Sequence, residues 1–224
     1  MIRMVQPLTA DMTLDGTIMD VGSLLKLMDI TTCASAEKHT GVNCVTLAMG
    51  DVALERMPTV GAIVELIAEP VLVGNTSLDI ALHVKAEIGT EQYSVCQAFF
   101  TYVTTRHPET GAKQLCPPLT EEQQSERQRW ETTLARYRKA MVEREKAAAK
   151  RTGGAQAPGT ETQCDVELTE VVLPAHQNHM GHTFGGVTMA NMHKAALVAA
   201  SRHALVGIGQ LRTLGVHRVE FPQV

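Results

Sequence analysis

The chain has 224 residues, of which 44% are hydrophobic and 20% are charged, and its formal net charge is −4. This balance is typical of a globular protein and argues against a nucleic-acid-binding surface, which needs clustered basic residues. No apolar run is long enough for a transmembrane helix, and the five scattered cysteines form no CxxC pair, so we expect reduced thiols in a cytoplasmic protein without membrane insertion.

The first part of the chain predicts one long helix and an antiparallel sheet. An apolar run at Ile2–Pro7 predicts a strand, and Asp20 is a suitable N-cap for a helix that ends at Gly41. Further strands are predicted over residues 44–54, 62–73, 78–88 and 93–104, with a bulge at 50–51 and with Pro70 at a bulge or an edge. A single helix laid across a curved antiparallel sheet is an α+β architecture.

Residues 107–163 predict a charged helical connector between two domains. Trp130, Leu134, Tyr137 and Met141 recur at helical spacing within a predicted helix over 120–151, so one apolar stripe should pack on its neighbours. Residues 152–162 contain three glycines and one proline without a hydrophobic pattern, which predicts a flexible linker.

The last part of the chain repeats the first. The spacing from Gly22 to Asp29 is seven residues, and so is the spacing from Gly186 to His193. A long repeat indicates two related structural units. The second copy predicts a strand over 164–173, a helix over 186–203 and a strand near 213–221, and we expect it to be incomplete. The expected domains are therefore 1–106, the connector 107–163, and a partial second copy over 164–224.

The two copies differ in their polar groups. The first helix carries an acid, Asp29, where the second has His193, and the loop of the first copy has Thr13 where the second has Asn178. One complete set of polar groups is therefore expected to be divided between the two units. His193 is interpreted either as a substituted site residue or as a core histidine, of which the second is more common.

The glycine-rich stretch 178–186 is the most specific motif in the chain. Gly185 and Gly186 permit tight backbone geometry at a helix start, where free N–H groups and a positive dipole end form a good oxyanion pocket. Asn178 could orient a water molecule or add a hydrogen-bond donor. A tight turn selected only for packing explains the same residues equally well.

Asp29 lies at the edge of the buried stripe of its helix. Burying a carboxylate there costs folding free energy, which is tolerated when the group is paired with a partner or has a catalytic role. A partly buried acid with a raised pKa suits a general base that acts on water. The alternative is an acid that is only hydrogen-bonded to a neighbouring strand or helix.

Other kinds of site find little support in the sequence. His176, His179 and His182 recur every three residues, but no carboxylate or cysteine pattern accompanies them, so we expect no metal site. The sequence has no G-x-S-x-G motif, which leaves a serine-hydrolase mechanism unsupported.

Two segments resemble a known family. Residues 178–192, Asn-His-Met-Gly-His-Thr-Phe-Gly-Gly-Val-Thr-Met-Ala-Asn-Met, resemble the signature loop and helix of acyl-CoA thioesterases with the hotdog fold. Residues 22–46 are similar to the cytosolic double-hotdog thioesterases, especially the acetyl-CoA hydrolase branch. The resemblance covers roughly residues 8–104 and 164–222, and its motifs are specific.

The resemblance implies a tandem hotdog fold whose two units share one site. Asp29 would be the base that activates water, Asn178 would position the water or the thioester, and the backbone of Gly185 and Gly186 would hold the oxyanion. Coenzyme A would lie between the units as part of the substrate, so no separate cofactor is expected. The family also implies a homo-oligomer, a trimer of double-hotdog units.

The expected function is hydrolysis of a short-chain, acetyl-CoA-like acyl-CoA to a free acid and coenzyme A. The alternative is a truncated, non-catalytic isoform that binds coenzyme A or partner subunits. A third hypothesis is a hotdog dehydratase or hydratase, because hotdog folds host several reactions on thioesters. That reaction needs a catalytic histidine facing the acid, and His193 is the residue nearest to a suitable place.

Overall fold

The computed structural model describes residues 1–137, 139, 142 and 165–221. In chain order the elements are β1 Ile2–Pro7, α1 Val21–Thr40, β2 Cys44–Met49, β3 Val52–Ala53, β4 Ile63–Val73, β5 Ser77–Ile88, β6 Glu91–Thr104, α2 Glu121–Gln128, α3 described over 131–137, α4 Gly185–Ala204, β7 Gly215–Val216 and β8 Val219–Glu220. The first unit contains strands β1 to β6, helix α1 and the start of the connector, and the second unit contains α4 and two short strands.

The main sheet has six antiparallel strands in the order β1-β4-β5-β6-β2-β8, and α1 lies across one of its faces. The inward side chains of β4, β5 and β6 form the core with the apolar stripe of α1. The largest fully buried side chains include Leu24, Met28, Leu66, Ile80 and Phe100. The predicted α+β hotdog architecture is confirmed, with one helix wrapped by a curved sheet.

The ends of α1 form as the sequence predicts. The side chain of Asp20 accepts a hydrogen bond from the backbone N–H of Ser23 at 2.9 Å, which satisfies one of the free N–H groups of the first turn. At the other end Gly41 has a φ of 72°, the left-handed conformation that closes a helix at low cost when the residue has no Cβ. The predicted bulge at Pro70 is also present, as a register shift between Pro70 and Leu72.

The strand predicted over 44–54 is interrupted. β2 ends at Met49, and β3 then pairs with β7 in a separate two-stranded sheet. At the break, a Cβ on Gly50 would lie 2.3 Å from Cε2 of Tyr137, so the connector packs where residue 50 has no side chain. A second irregularity, between Thr46 and Ala48, has no counterpart in the sequence prediction.

The connector covers the outer face of the sheet. Trp130 and Leu134 pack with Val71, Ala81 and Phe99 in a second buried cluster, which confirms the predicted stripe. The single helix predicted over 120–151 is wrong, because α2 ends at Gln128 and a turn precedes α3. Met141 and the predicted linker 152–162 lie outside the described residues.

The second unit packs α4 beside α1 and adds little sheet. The strand predicted over 164–173 is wrong for its described part, residues 165–173, which form no regular structure. No strand in the described part of the chain lies beside this segment to accept its backbone hydrogen bonds. The strand predicted near 213–221 forms as two short pieces, β7 against β3 and β8 against the β2 edge.

None of the helices in the described residues is long and apolar enough to cross a membrane. The four cysteines in the same residues are all free thiols.

Candidate functional site

Two glycines bring α1 and α4 into close contact. A Cβ on Gly22 would lie 3.2 Å from Cβ of Ala190, and a Cβ on Gly186 would lie 2.9 Å from Cα of Lys26. Each glycine thus lies where the first turn of its helix packs against the second turn of the other helix, too close for a Cβ. The repeat spacing therefore places the seventh residue after each glycine, Asp29 in α1 and His193 in α4, at the helix–helix contact.

Asp29 is fully buried and accepts hydrogen bonds from both units. Its Oδ1 accepts from the hydroxyl of Thr46 at 2.7 Å and from that of Tyr102 at 3.0 Å. Its Oδ2 accepts from the backbone N–H of Gly186 at 2.7 Å. The carboxylate therefore lies at the N-terminus of α4, where the helix dipole favours negative charge.

Burial raises the pKa of Asp29, while the hydrogen bonds from Thr46, Gly186 and Tyr102 act in the opposite direction. The first effect arises because a charged carboxylate loses its hydration, and the second because each donor stabilises the ionised form. A carboxyl group with a raised pKa is a stronger base than an exposed aspartate. This is the property that the sequence suggested for Asp29.

A cleft opens beside this carboxylate. It has a volume of about 760 Å³, within the range of small-molecule sites. Its walls come from β2, the end of β6, the hairpin that follows β6, and the loop and first turn of α4. Thr46, Asn178, Gly185 and Thr188 are among its lining residues. The structure therefore brings Asn178 and Gly185 to the same cleft, with Asp29 directly behind the wall.

Gly185 separates the cleft from Asp29. A Cβ at this position would lie 3.3 Å from Oδ2 of Asp29 and 3.2 Å from Oγ1 of Thr46. A side chain at position 185 would therefore crowd both polar groups, and glycine lets the backbone of residue 185 lie close to the fully buried carboxylate.

The two glycines have different roles. The first N–H groups of a helix have no partner within the helix. That of Gly186 is used by Asp29, whereas that of Gly185 makes no hydrogen bond within the described residues. In this structure Gly186 therefore positions the acid, and Gly185 remains the available backbone donor.

Asn178 shapes the loop before α4. Its Oδ1 accepts from the backbone N–H groups of Met180 and His182, each at 3.0 Å. Its Nδ2 has no partner in the described part of the chain and so remains a free donor at the cleft. The side chain can therefore fix the loop and donate to a ligand at the same time.

The reverse pairing of the two copies, with His193 in place of Asp29 and Thr13 in place of Asn178, has different contacts. Nε2 of His193 is 2.8 Å from Oγ1 of Thr213, and its Nδ1 is 3.5 Å from Oδ1 of Asp20. Thr13 lies in its own loop, where its hydroxyl donates to the carbonyl of Ala10. The adjoining cavity is about 50 Å³, room for little more than water. His193 is a buried histidine, and burial lowers its pKa.

The three loop histidines do not converge. The ring of His179 contacts Asn43 and that of His176 contacts the backbone of Leu173. No group of metal-ligating side chains is found within the described ranges.

Sequence reasoning missed Thr46 and Tyr102. Tyr102 lies within the strand predicted over 93–104, and its hydroxyl also contacts that of Thr32 at 2.8 Å. Thr46 lies in β2 at the bulge, which turns its hydroxyl toward Asp29. The strand pattern could have shown that both residues face α1, but it gave no register relative to Asp29.

No protein-family model matches the chain. It is 34% identical over 199 residues to "Acyl-coenzyme A thioesterase 11" of Mus musculus, an alignment that covers 82% of this chain and 32% of the relative. It is 33% identical over 216 residues to "Acetyl-coenzyme A thioesterase" of Rattus norvegicus, covering 90% of this chain and 38% of the relative. The chain thus spans about a third of the length of these curated relatives.

Solved structures show the same fold. The structure described as "Apo-Hexameric Acyl-CoA Thioesterase" is similar with a TM-score of 0.54 at 25% sequence identity, covering 66% of this chain and 92% of that one.

Proposed function

The chain belongs to the family of acyl-coenzyme A thioesterases with the hotdog fold, and on this premise we propose that it hydrolyses acyl-coenzyme A to a free acid and coenzyme A. The observation that carries the proposal is the buried carboxylate of Asp29, held by the N–H of Gly186 directly beside the cleft that Thr46 and Gly185 line. A base, a backbone donor and a cleft of suitable size are the parts that addition of water to a thioester requires.

The proposed reaction uses one water molecule. Asp29 accepts a proton from the water as its oxygen attacks the thioester carbonyl carbon. The N–H of Gly185 and the Nδ2 group of Asn178 donate to the carbonyl oxygen, which gains negative charge in the tetrahedral intermediate. The C–S bond then breaks, the carboxylic acid leaves, and the thiolate of coenzyme A takes the proton held by Asp29.

The environment of Asp29 supports the role of a base. Burial raises its pKa and so increases its basicity, while the donors Thr46 and Tyr102 keep the carboxylate in place and stabilise its charge. The net effect is a raised pKa, so the carboxyl group takes up a proton more readily than an exposed aspartate does.

The other two hypotheses have less support. A dehydratase needs a histidine facing the acid, whereas the described contacts of His193 are with Thr213 and Asp20 and not with Asp29. A buried carboxylate costs folding free energy. A non-catalytic binding protein has no need of such a group next to a glycine that lines the cleft.

The wider assignments belong to the same proposal. Domains at 1–106, 107–163 and 164–224, a short-chain acyl group, a cytoplasmic location and assembly as a trimer of double-hotdog units are expected. Oligomerisation is supported by the solved structure described as hexameric. The proposed reaction uses no cofactor, since coenzyme A is part of the substrate.

The test is release of coenzyme A thiol from acetyl-coenzyme A, followed with a thiol reagent. We expect turnover by the parental chain, and loss of turnover in Asp29→Asn with coenzyme A binding retained by calorimetry. A matched control is Asp11→Asn, which changes an exposed aspartate in the loop before α1. Equal turnover by the parental chain and Asp29→Asn would contradict the assignment of Asp29.

A further inference from the structure

The cleft has a marked charge pattern. Among the described residues that line it, Arg106 and Lys113 are the ones with a full charge, and both are positive. The whole chain has a net charge of −4, so this wall differs in sign from the protein as a whole. A cleft lined by one sign of charge attracts ligands of the opposite sign.

The two cations are held on one short hairpin. Arg106 and Lys113 form an antiparallel bridge, and the N–H of His107 donates to the carbonyl of Ala112 at 2.9 Å. Gly111 has a φ of 66°, which closes the turn. The guanidinium of Arg106 donates to the carbonyl of Gly111 at 3.0 Å, so one donor fixes the side chain and the others remain free.

The hairpin is also tied to the sheet. The amide of Gln114 donates to the carbonyl of Thr105 at 2.8 Å, and the hydroxyl of Thr104 donates to the carbonyl of Gln114. These bonds connect the hairpin to the end of β6, whose residues line the same cleft as Asn178 and Gly185. The backbone that carries the two cations is therefore held beside the proposed thioester site.

The two cations face each other across the hairpin. Side chains directly opposite each other in an antiparallel pair project on the same face, and like charges there repel. Neither cation forms an ion pair with an acidic residue in the described part of the chain. An anion bound between Arg106 and Lys113 would remove the repulsion, and a diphosphate offers each cation an oxygen.

We propose that Arg106 and Lys113 bind the diphosphate of coenzyme A, so that the hairpin selects the substrate by its charged end while the site around Asp29 acts on the thioester. This inference rests on the proposed function, which supplies coenzyme A as the ligand. It predicts that the hairpin contributes to binding and makes little contribution to the chemical step.

The test compares thioesters with and without phosphate groups. In Arg106→Ala/Lys113→Ala, we expect the KM for acetyl-coenzyme A to rise by roughly ten- to a hundredfold, since hydrogen bonds to charged groups are the strong ones. The kcat should change little, and kcat/KM for acetyl-pantetheine, which has no phosphate, should stay at the parental value. Acetyl-3′-dephospho-coenzyme A should show the same rise in KM, because it keeps the diphosphate.

The control is Arg56→Ala/Arg129→Ala, which removes two exposed cations outside the cleft and should leave the KM for acetyl-coenzyme A unchanged. An unchanged KM in Arg106→Ala/Lys113→Ala, or an equal loss with acetyl-pantetheine, would overturn the proposal. A KM rise that disappears with the 3′-dephospho compound would assign the cations to the 3′-phosphate and overturn the diphosphate assignment. If the parental chain hydrolyses no thioester, the proposed function fails, and calorimetry with coenzyme A and pantetheine still tests the hairpin.

Discussion

Gly186 donates its backbone N–H to Oδ2 of Asp29 at 2.7 Å, although the two residues are 157 positions apart in the sequence. The contact places the N-terminus of α4 on the middle of α1 and joins the two units at the acid. A carboxylate at a helix N-terminus is stabilised by the free N–H groups and the dipole. The pKa of the proposed base therefore depends on how the N-terminus of α4 packs against α1.

Gly186→Ala should separate the two helices. The added Cβ would lie 2.9 Å from Cβ of Asp29 and 2.9 Å from Cα of Lys26, and the latter backbone atom cannot rotate away. We expect a loss of about 1–3 kcal/mol in the free energy of unfolding, as for overpacking of a close contact. Chemical denaturation measures the loss, and turnover should fall because Asp29 loses its donor.

Gly209→Ala is the control for this prediction. A Cβ at Gly209 would have no atom within 4 Å, and the residue is exposed in a short 3-10 turn. Equal stability of the two variants would show that the helices adapt to a side chain at position 186.

The sequence predicts the helix that carries Asp29 and both of its ends, but not the hydrogen-bond partners of the carboxylate. Asp20 and Gly41 act as caps because capping depends on neighbouring backbone groups alone. The partners of Asp29 come from β2, β6 and α4, so they depend on strand register and on the bulge at Thr46. The strand predicted over 164–173 does not form in its described part, because a strand forms only beside a partner.

Trp130→Phe should destabilise the connector's contact with the sheet. The indole Nε1–H of Trp130 donates to Oε2 of Glu69 at 2.9 Å, and both side chains are buried. Phenylalanine keeps the packing against Phe99 but leaves the Glu69 carboxyl without this donor. Thermal unfolding should show a loss of roughly 1–3 kcal/mol. The loss should shrink in a Glu69→Leu background, and an equal loss in both backgrounds would assign the effect to packing.

Two substitutions separate the roles of Asn178. Asn178→Asp keeps an acceptor for the N–H groups of Met180 and His182 but removes the Nδ2 donor, whereas Asn178→Ala removes both. We expect Asn178→Asp to keep the parental Tm and to lose roughly 10²–10³-fold in kcat, the usual effect of one oxyanion donor. Asn178→Ala should lower both kcat and Tm. Parental turnover in Asn178→Asp would restrict the residue to a structural role.

Gly185→Ala should block the approach to Asp29. The methyl group would lie between Thr46 and the carboxylate, at 3.2 Å from Oγ1 and 3.3 Å from Oδ2. We expect at least a tenfold fall in kcat, while coenzyme A binding, measured by calorimetry, should change much less because Gly185 is one of many lining residues. A fall in binding equal to the fall in turnover would show that the cleft itself has changed shape.

The pH dependence of turnover should report on the donors to Asp29. A base works when it is deprotonated, so kcat/KM should rise with pH through the raised pKa of Asp29 and then reach a plateau. The hydroxyl groups of Thr46 and Tyr102 stabilise the ionised carboxylate and thereby lower its pKa. Removing either donor in Thr46→Val or Tyr102→Phe should raise the pKa further and move the rising limb of the profile to higher pH.

Two matched controls lack a contact with the carboxyl group. Thr31→Val removes a hydroxyl that donates to the carbonyl of Leu27, and Tyr93→Phe removes the hydroxyl from a ring that lies against the guanidinium of Arg56. Both should reproduce the parental profile. Thr46→Val and Tyr102→Phe could instead lower the plateau of kcat/KM without shifting the rising limb of the pH profile. The group that titrates would then not be Asp29, because loss of a hydrogen-bond donor must change the pKa of Asp29.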